Sequence, residues 1–299
     1  MPLEVAWRAR DDYKSESQCQ RSSFAFYRAV RELLPVWLLE EMRATEALHW
    51  EEDGRARAFS PSEALLYALV HDHQEYARHL LRRYQARALD APSPSFRCCA
   101  CTDAAAPHLA LAVRHERGAI LGMILEAAAA EENEQQRRAF LDARGCTHSG
   151  GKSAMHVASE LARADCLLAL LANGASPYVT DSAGDTPLDR LLEEMERAGD
   201  ADSGGDARAR RACLDYFLLF APVLRFRRAQ ELREDASRWT RLLGEHAYRW
   251  LAGRAPLSLF VLCTRTLLST RAELLDSLPR FLRPPPLQNF VHHYNSLSS

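Results

Sequence analysis

Two short tetrads, thirty-three residues apart, constrain this chain more than any other feature: Ser153-Ala154-Met155-His156 and Thr186-Pro187-Leu188-Asp189. Each has the chemistry of a helix start. A Ser or Thr hydroxyl ahead of a helix satisfies backbone N–H groups that have no partner inside it. Proline at the first helical position gives up a donor the helix does not use. The Met or Leu that follows anchors the turn in a core. One complete unit lies between the tetrads. Ala158 sits on the small-residue face of a first helix, and Leu167, Leu168, Leu170 and Leu171 form the stripe of a second. Asn173-Gly174-Ala175 ends that helix, with Gly174 suited to the left-handed position after it. Asp181, Gly184 and Asp185 supply turn chemistry. A unit this short cannot bury its own apolar face, so it must stack on others of its kind. In that setting His156 belongs to a hydrogen-bonded turn; it is not read as a base or a metal ligand.

Two looser copies lie upstream. Pro107-His108-Leu109-Ala110-Leu111-Ala112 leads into an apolar run ending at Leu125, and Ala64 to Ala68 lead into Tyr76, Leu80 and Leu81. Aligning Ala68, Ala112 and Ala158 gives spacings of 44 and 46 residues, so insertions separate the copies. One runs from Ala86 to Thr102. The other runs from Ala127 to Ser149 and is expected as a lengthened helix followed by a loop. A third, AGDADSGGDARAR from Ala198, is expected to be flexible, ahead of a last helix from Cys213 to Phe220 stopped by Pro222. His71 and His73 are expected at a solvent-facing helix end. Ser23 to Met42 reads as two helices broken at Pro35 that cap the open end of the stack, and the amphipathic stretch Arg238 to Ala252 caps the other.

The thirty-three-residue period and the tetrads resemble ankyrin repeats. Beyond them, Ser258, Leu259, Cys263 and Leu267 resemble the elongin-binding stretch of a SOCS box. Leu259, Cys263 and Leu267 are four apart and share one helical face, the geometry of a helix laid in a groove. Leu278-Pro279-Arg280-Phe281-Leu282 stands where SOCS boxes carry a Leu-Pro-aliphatic-Pro element that contacts a cullin; Arg280 and Phe281 depart from that pattern. The whole order resembles the ankyrin-repeat and SOCS-box protein class. The fold expected is all-α: an ankyrin-repeat solenoid with an N-terminal helical cap and a C-terminal SOCS-box-like helical module. Its division is a disordered tail (1–18), a cap (19–58), about four repeats with insertions (59–222), a second cap (223–254), the SOCS-box-like module (255–291) and a tail (292–299).

The resemblance implies a substrate receptor of an elongin–cullin–RING ubiquitin ligase, not an enzyme in itself. Ser258, Leu259, Cys263 and Leu267 would bind elongins B and C. Leu278, Pro279 and Phe281 would bind cullin five or cullin two, which brings the RING subunit. The client, for which the resemblance suggests IMP dehydrogenase, would be ubiquitinated and degraded. Client contact is expected at the finger tips His148, Lys152, Tyr178, Asp181 and Ser182, because loop tips project. The rival reading, from another class, is a non-ligase scaffold or a thiol or metal sensor.

Charge and cysteine usage limit the alternatives. A net charge of −2 concentrates no basic field for nucleic acid or an anionic membrane surface. No apolar run reaches membrane-spanning length, so a cytosolic placement is expected, with vesicle association as a variant. The eight cysteines are scattered and read as reduced thiols. Cys98 and Cys101 form a CxxC that Cys146 and His148 could complete as a metal site; without a second clean pair the signal is weak, and no metal or cofactor is expected. Gly150-Gly151-Lys152-Ser153 looks like the end of a phosphate-binding loop, yet Cys146 stands where that loop needs Gly. Lysine occurs only as Lys14 and Lys152 among 38 basic residues. Nucleotide bias explains this, as does a chain spared acceptor amines beside a ligase.

Overall fold

The computed structural model describes residues 23–46, 48–50, 56–93, 107–131, 133–146, 150–199, 204–221 and 225–255. Most of these residues are helical. A short antiparallel pair, β1 (Leu48–Trp50) and β2 (Ala56–Ala58), places Leu48 opposite Ala58. Four helix pairs follow one another: α3 (Pro61–His71) with α4 (Gln74–Tyr84), α5 (His108–Arg114) with α6 (Gly118–Ala129), α8 (Ala154–Glu160) with α9 (Ala164–Ala172), and α10 (Pro187–Ala198) with α11 (Gly205–Phe220). First helices stack on first helices, α3 on α5 on α8 on α10. Second helices do the same, α4 on α6 on α9 on α11.

Three of these pairs turn in the same way. Asp72, Glu116 and Ala162 adopt the left-handed conformation between first and second helix, with φ of 57°, 56° and 51°. Four residues before each lies one of the aligned alanines, Ala68, Ala112 and Ala158, all fully buried. Their carbonyls accept the N–H of His73, Arg117 and Arg163 at 2.9, 2.8 and 2.8 Å. The same three residues cap the second helices and reach back along the stack. His73 Nε2 donates to the carbonyl of Leu34 at 3.0 Å. Arg117 donates to the carbonyls of Leu69 and Val70 at 3.2 and 3.1 Å. Arg163 pairs with Glu116 at 2.6 Å. At the Arg117 contact, carbonyls that the end of α3 leaves open are thereby satisfied by the next unit. His73 is consequently buried, not solvent-facing: its Nδ1 also accepts the Tyr76 N–H.

The ends of the stack are closed by other helices. At the N-terminal end, α1 (residues 23–31) and α2 (Val36–Glu41) meet at Pro35, and Phe26 joins Phe59, Tyr67 and Tyr76 in an aromatic cluster. Glu40 of α2 accepts Arg43 at 2.8 and 3.0 Å, Tyr84 at 2.6 Å and Tyr76 at 2.9 Å, which bolts the cap to the first repeat. At the other end, α12 (Ala229–Glu234), α13 (Ala236–Leu243) and α14 (Glu245–Leu251) bury Leu232, Trp239, Leu243, Ala247 and Tyr248. Gly244, at φ 75°, breaks the amphipathic stretch into two helices, and the Arg211 guanidinium fills the space beside it while bonding the Leu243 carbonyl.

Two insertions differ from expectation. The one after Ala127 is not a lengthened helix: α6 ends at Ala129 and a separate helix, α7 (Glu134–Leu141), begins. The Asn133 side chain causes the break by accepting the N–H groups of Gln135 and Gln136 at 3.0 and 3.3 Å, a local bond that competes with helix continuation. In the fourth unit, residues 206–210 are helical, because α11 starts at Gly205, two turns before Cys213.

Candidate binding surface

The segments joining the repeats pack on one another as fingers. Within the first, Gly145 donates to the Lys152 carbonyl at 3.0 Å and Gly151 to the Cys146 carbonyl at 2.9 Å. The Ser182 N–H of the next finger reaches the Gly150 carbonyl at 2.9 Å. This contact explains the paired glycines: Gly151 has φ +61°, and a Cβ there would fall 2.4 Å from Ser182 Oγ and 3.3 Å from its backbone N. The Gly-Gly-Lys-Ser run is thus a finger-to-finger junction. Its lysine points to Glu160, with Nζ 2.8 Å from both carboxylate oxygens.

Behind each finger, a capped helix start fixes its base. Thr186 and Asp189 form a reciprocal box: Asp189 Oδ2 accepts the Thr186 N–H and hydroxyl at 2.8 and 2.7 Å, and Thr186 Oγ1 accepts the Asp189 N–H at 3.3 Å. The equivalent His156 is fully buried. Its Nδ1 accepts the Ser153 N–H at 3.2 Å and lies 2.8 Å from the Ser153 hydroxyl, while Nε2 donates to the Asp185 carbonyl at 2.9 Å. Burial lowers the pKa of this imidazole and outweighs the bond to the Asp185 carbonyl and the nearby Asp181, which pull it upward. The tautomer follows from the partners: a carbonyl can only accept, so Nε2 carries the proton.

The expected client-contacting tips separate into different roles. Ser182 is exposed and Tyr178 half-buried. Lys152 is tied to Glu160. Asp181 does not project at all: it is 3% exposed, its Oδ1 accepts the N–H of Ala183 and Asp185 at 2.9 and 3.0 Å, and its Oδ2 accepts Arg190 at 2.6 and 2.9 Å. Burial pulls this carboxyl upward, but Arg190 and the two N–H groups outweigh burial and hold it below the ordinary carboxylate range. Asp181 shapes the finger from inside. His148, Cys98, Cys101 and the whole of 256–299, which holds the elongin- and cullin-type motifs, lie outside the described residues.

Several residues carry the surface without having been singled out. Ser60 and Glu63 form another capping box, at 2.7 and 3.2 Å, whose Ser-x-x-Glu spacing is visible ahead of an apolar run. Asp189 uses its second oxygen to hold the N–H groups of Arg227 and Arg228 at 2.8 and 3.0 Å, locking the C-terminal cap to the last repeat. Arg190, Glu193, Arg228 and Glu231 line a charged cleft beside it. Among the described residues no group of His, Cys, Asp and Glu could hold a metal ion. Cys166 and Cys213 are buried, and burial pushes their thiols up to about 11 and about 12, which suppresses the reactive thiolate. No helix among the described residues is long and apolar enough to cross a membrane.

Stacked helix pairs with capped starts, left-handed turns and interlocked fingers define an ankyrin-repeat protein, a scaffold built for binding other proteins. No family model matches the chain. It is 46% identical to ankyrin repeat domain-containing protein 9 of Mus musculus over an alignment of 299 residues that covers 90% of each chain. The chain belongs to that protein's family, and the class it represents is a protein-interaction scaffold.

Proposed function

We propose that this chain is the substrate-receptor subunit of an elongin–cullin–RING ubiquitin ligase. The observation that carries the reading is the register of Ser258, Leu259, Cys263 and Leu267, which begins seven residues after α14 ends at Leu251. A receptor needs two binding faces held apart by a stiff body. The fingers and repeats, 59–222, would hold a client, with IMP dehydrogenase as the candidate. The segment 255–291 would engage elongins B and C through the tetrad, and cullin five or cullin two through Leu278, Pro279 and Phe281. The chain then acts by raising effective concentration: a client held beside the charged ubiquitin carrier is modified because it is near. The caps assigned to 19–58 and 223–254 would keep the apolar ends of the stack from other partners, in the cytosol or on vesicles.

The test is co-purification. Replacing Leu259→Ala and Cys263→Ser together is expected to abolish recovery of elongin C while leaving the helical circular-dichroism signal of the repeats intact. Undiminished elongin C recovery refutes the receptor reading.

A further inference from the structure

His71 and His115 occupy one structural position in two successive repeats, each one residue before the left-handed turn residue, Asp72 or Glu116. The third repeat places Leu161 there, 43% exposed. The His71 ring meets Tyr27 edge-on at 4.8 Å, and its buried Nε2 has no hydrogen-bond partner. The surroundings of the two imidazoles are one-sided. Besides burial, the groups acting on His71 are Arg31, Arg117 and His115, and those acting on His115 are Arg117 and Arg114. Neither imidazole feels an effective carboxylate. Arg31 and Arg114 are exposed and have no ion-pair partner among the described residues. The Asp72 carboxylate stands 3.9 Å from Arg117, at the edge of the group, and Glu116 is taken by Arg163.

Helix ends explain part of this. α1, α3 and α5 all end here, and each C-terminus carries roughly half a negative charge that favours a cation. Arg117 answers that field directly through the Leu69 and Val70 carbonyls. Arg31 and Arg114 are left over, next to two histidines whose pKa values burial first, and then these cations, lower. Like charges gathered without counter-ions on a surface otherwise rich in Arg–Glu pairs are costly unless something anionic arrives.

We propose that this ridge of helix ends, formed by Arg31, His71, Arg114, His115 and Arg117, is a docking surface for an extended acidic segment of a partner protein. Charge complementarity selects the partner, and the stacking selects its shape. Packed helices lie about 8–10 Å apart, and three residues of extended chain span about 10 Å. Carboxylates three residues apart therefore meet successive repeats. The site lies at the helix–helix turns and does not depend on the receptor reading.

The experiment uses the full chain and a fluorescein-labelled peptide with Glu at every third position in a Gly/Ser background, followed by anisotropy. Arg31→Gln with Arg114→Gln, both exposed and unpaired, is expected to weaken binding about ten-fold; Arg138→Gln on α7, an exposed arginine paired with Glu134, leaves it unchanged. Binding also tightens as pH falls below 6.5, because both imidazoles gain charge beside Tyr27, Arg31, Arg114, Arg117 and Asp72. His71→Gln with His115→Gln removes that pH response. The proposal is overturned if the wild-type chain does not bind the peptide, if the Arg31/Arg114 variant binds as tightly as wild type, or if Arg138→Gln weakens binding equally.

Discussion

The bolt between the N-terminal cap and the first repeat can be tested through one atom pair, by Glu40→Gln. The Glu40 and Arg43 side chains are 17% and 11% exposed, and three side chains converge on the carboxylate. Burial alone would raise its pKa, but bonds from Arg43, Tyr84 and Tyr76 overcome burial and bring it from 4.5 to about 2. Holding the carboxyl at about 2 instead of 4.5 corresponds to about 3 kcal/mol between the two protonation states. Removing one partner of a buried pair costs about 3–5 kcal/mol, and glutamine restores part of that by keeping one acceptor. The expected loss at pH 7 is therefore about 2–3 kcal/mol. The sign with pH is fixed as well. Because the folded-state pKa is depressed, the stabilisation is complete above 4.5 and fades as pH falls from there toward 2. Urea unfolding at pH 7, 5, 4 and 3, followed by tryptophan fluorescence with Trp37 on the same cap, should show wild type and variant converging. A variant within 0.5 kcal/mol of wild type at pH 7, or a gap that stays constant with pH, refutes the reasoning.

At the finger junction, Gly151→Ala should cost about 2 kcal/mol, since alanine in the left-handed region costs about 1–2 kcal/mol before any clash; Ser182→Ala in the same chain should restore part of it by removing the oxygen the new Cβ would meet, as read by denaturant midpoints. Asp215 behaves opposite to Glu40: burial raises its carboxyl to about 6, Arg211 opposing only in part, and Oδ2 has no partner. Its contribution is complete below 3.8 and is lost as pH rises through about 6. Asp215→Asn should therefore add up to about 3 kcal/mol of stability at pH 7.5, read as a higher melting temperature, with the gain gone by pH 4.

What was legible in the sequence is what acts locally. The two tetrads signalled helix starts because the cap and its partner lie three residues apart, and Ala68, Ala112 and Ala158 aligned because only a small side chain fits where first helices stack. What acts across the stack was hidden. Asp181 reads as a turn residue at a loop tip, and nothing nearby in sequence shows Arg190 drawing it inside. His73 reads as polar helix-end punctuation, yet its partner Leu34 is 39 residues away. Asp189 stands in the sequence only as the last residue of the second tetrad; one oxygen closes the box with Thr186, while the other serves Arg227 and Arg228, which arrive from beyond the fourth repeat. The helix break at Asn133 was local and readable; the helical composition of AAAAEENEQQRRAFL masked it, because propensity summed over a window outweighs one capping residue.

These cross-stack bonds bear on how a scaffold of this kind can work. A solenoid contacts only nearest neighbours, so its stiffness is that of its weakest interface, not an average over the molecule. In this chain successive junctions carry their own clamps: Glu40 with Tyr76 and Tyr84 at the first, Arg117 on the Leu69 and Val70 carbonyls at the next, Arg163 with Glu116 after that, and Asp189 with the Arg227 and Arg228 N–H groups at the last. Arg211 on the Leu243 carbonyl then braces the break between α13 and α14 at Gly244. For a protein that acts by holding two partners at a set distance, effective concentration collapses when the geometry between the sites is lost, even if both sites still bind. Clamps far from either binding face are thus as necessary to the proposed activity as the faces themselves. Loosening one of them should uncouple client modification from client binding, whereas damage to a face abolishes both.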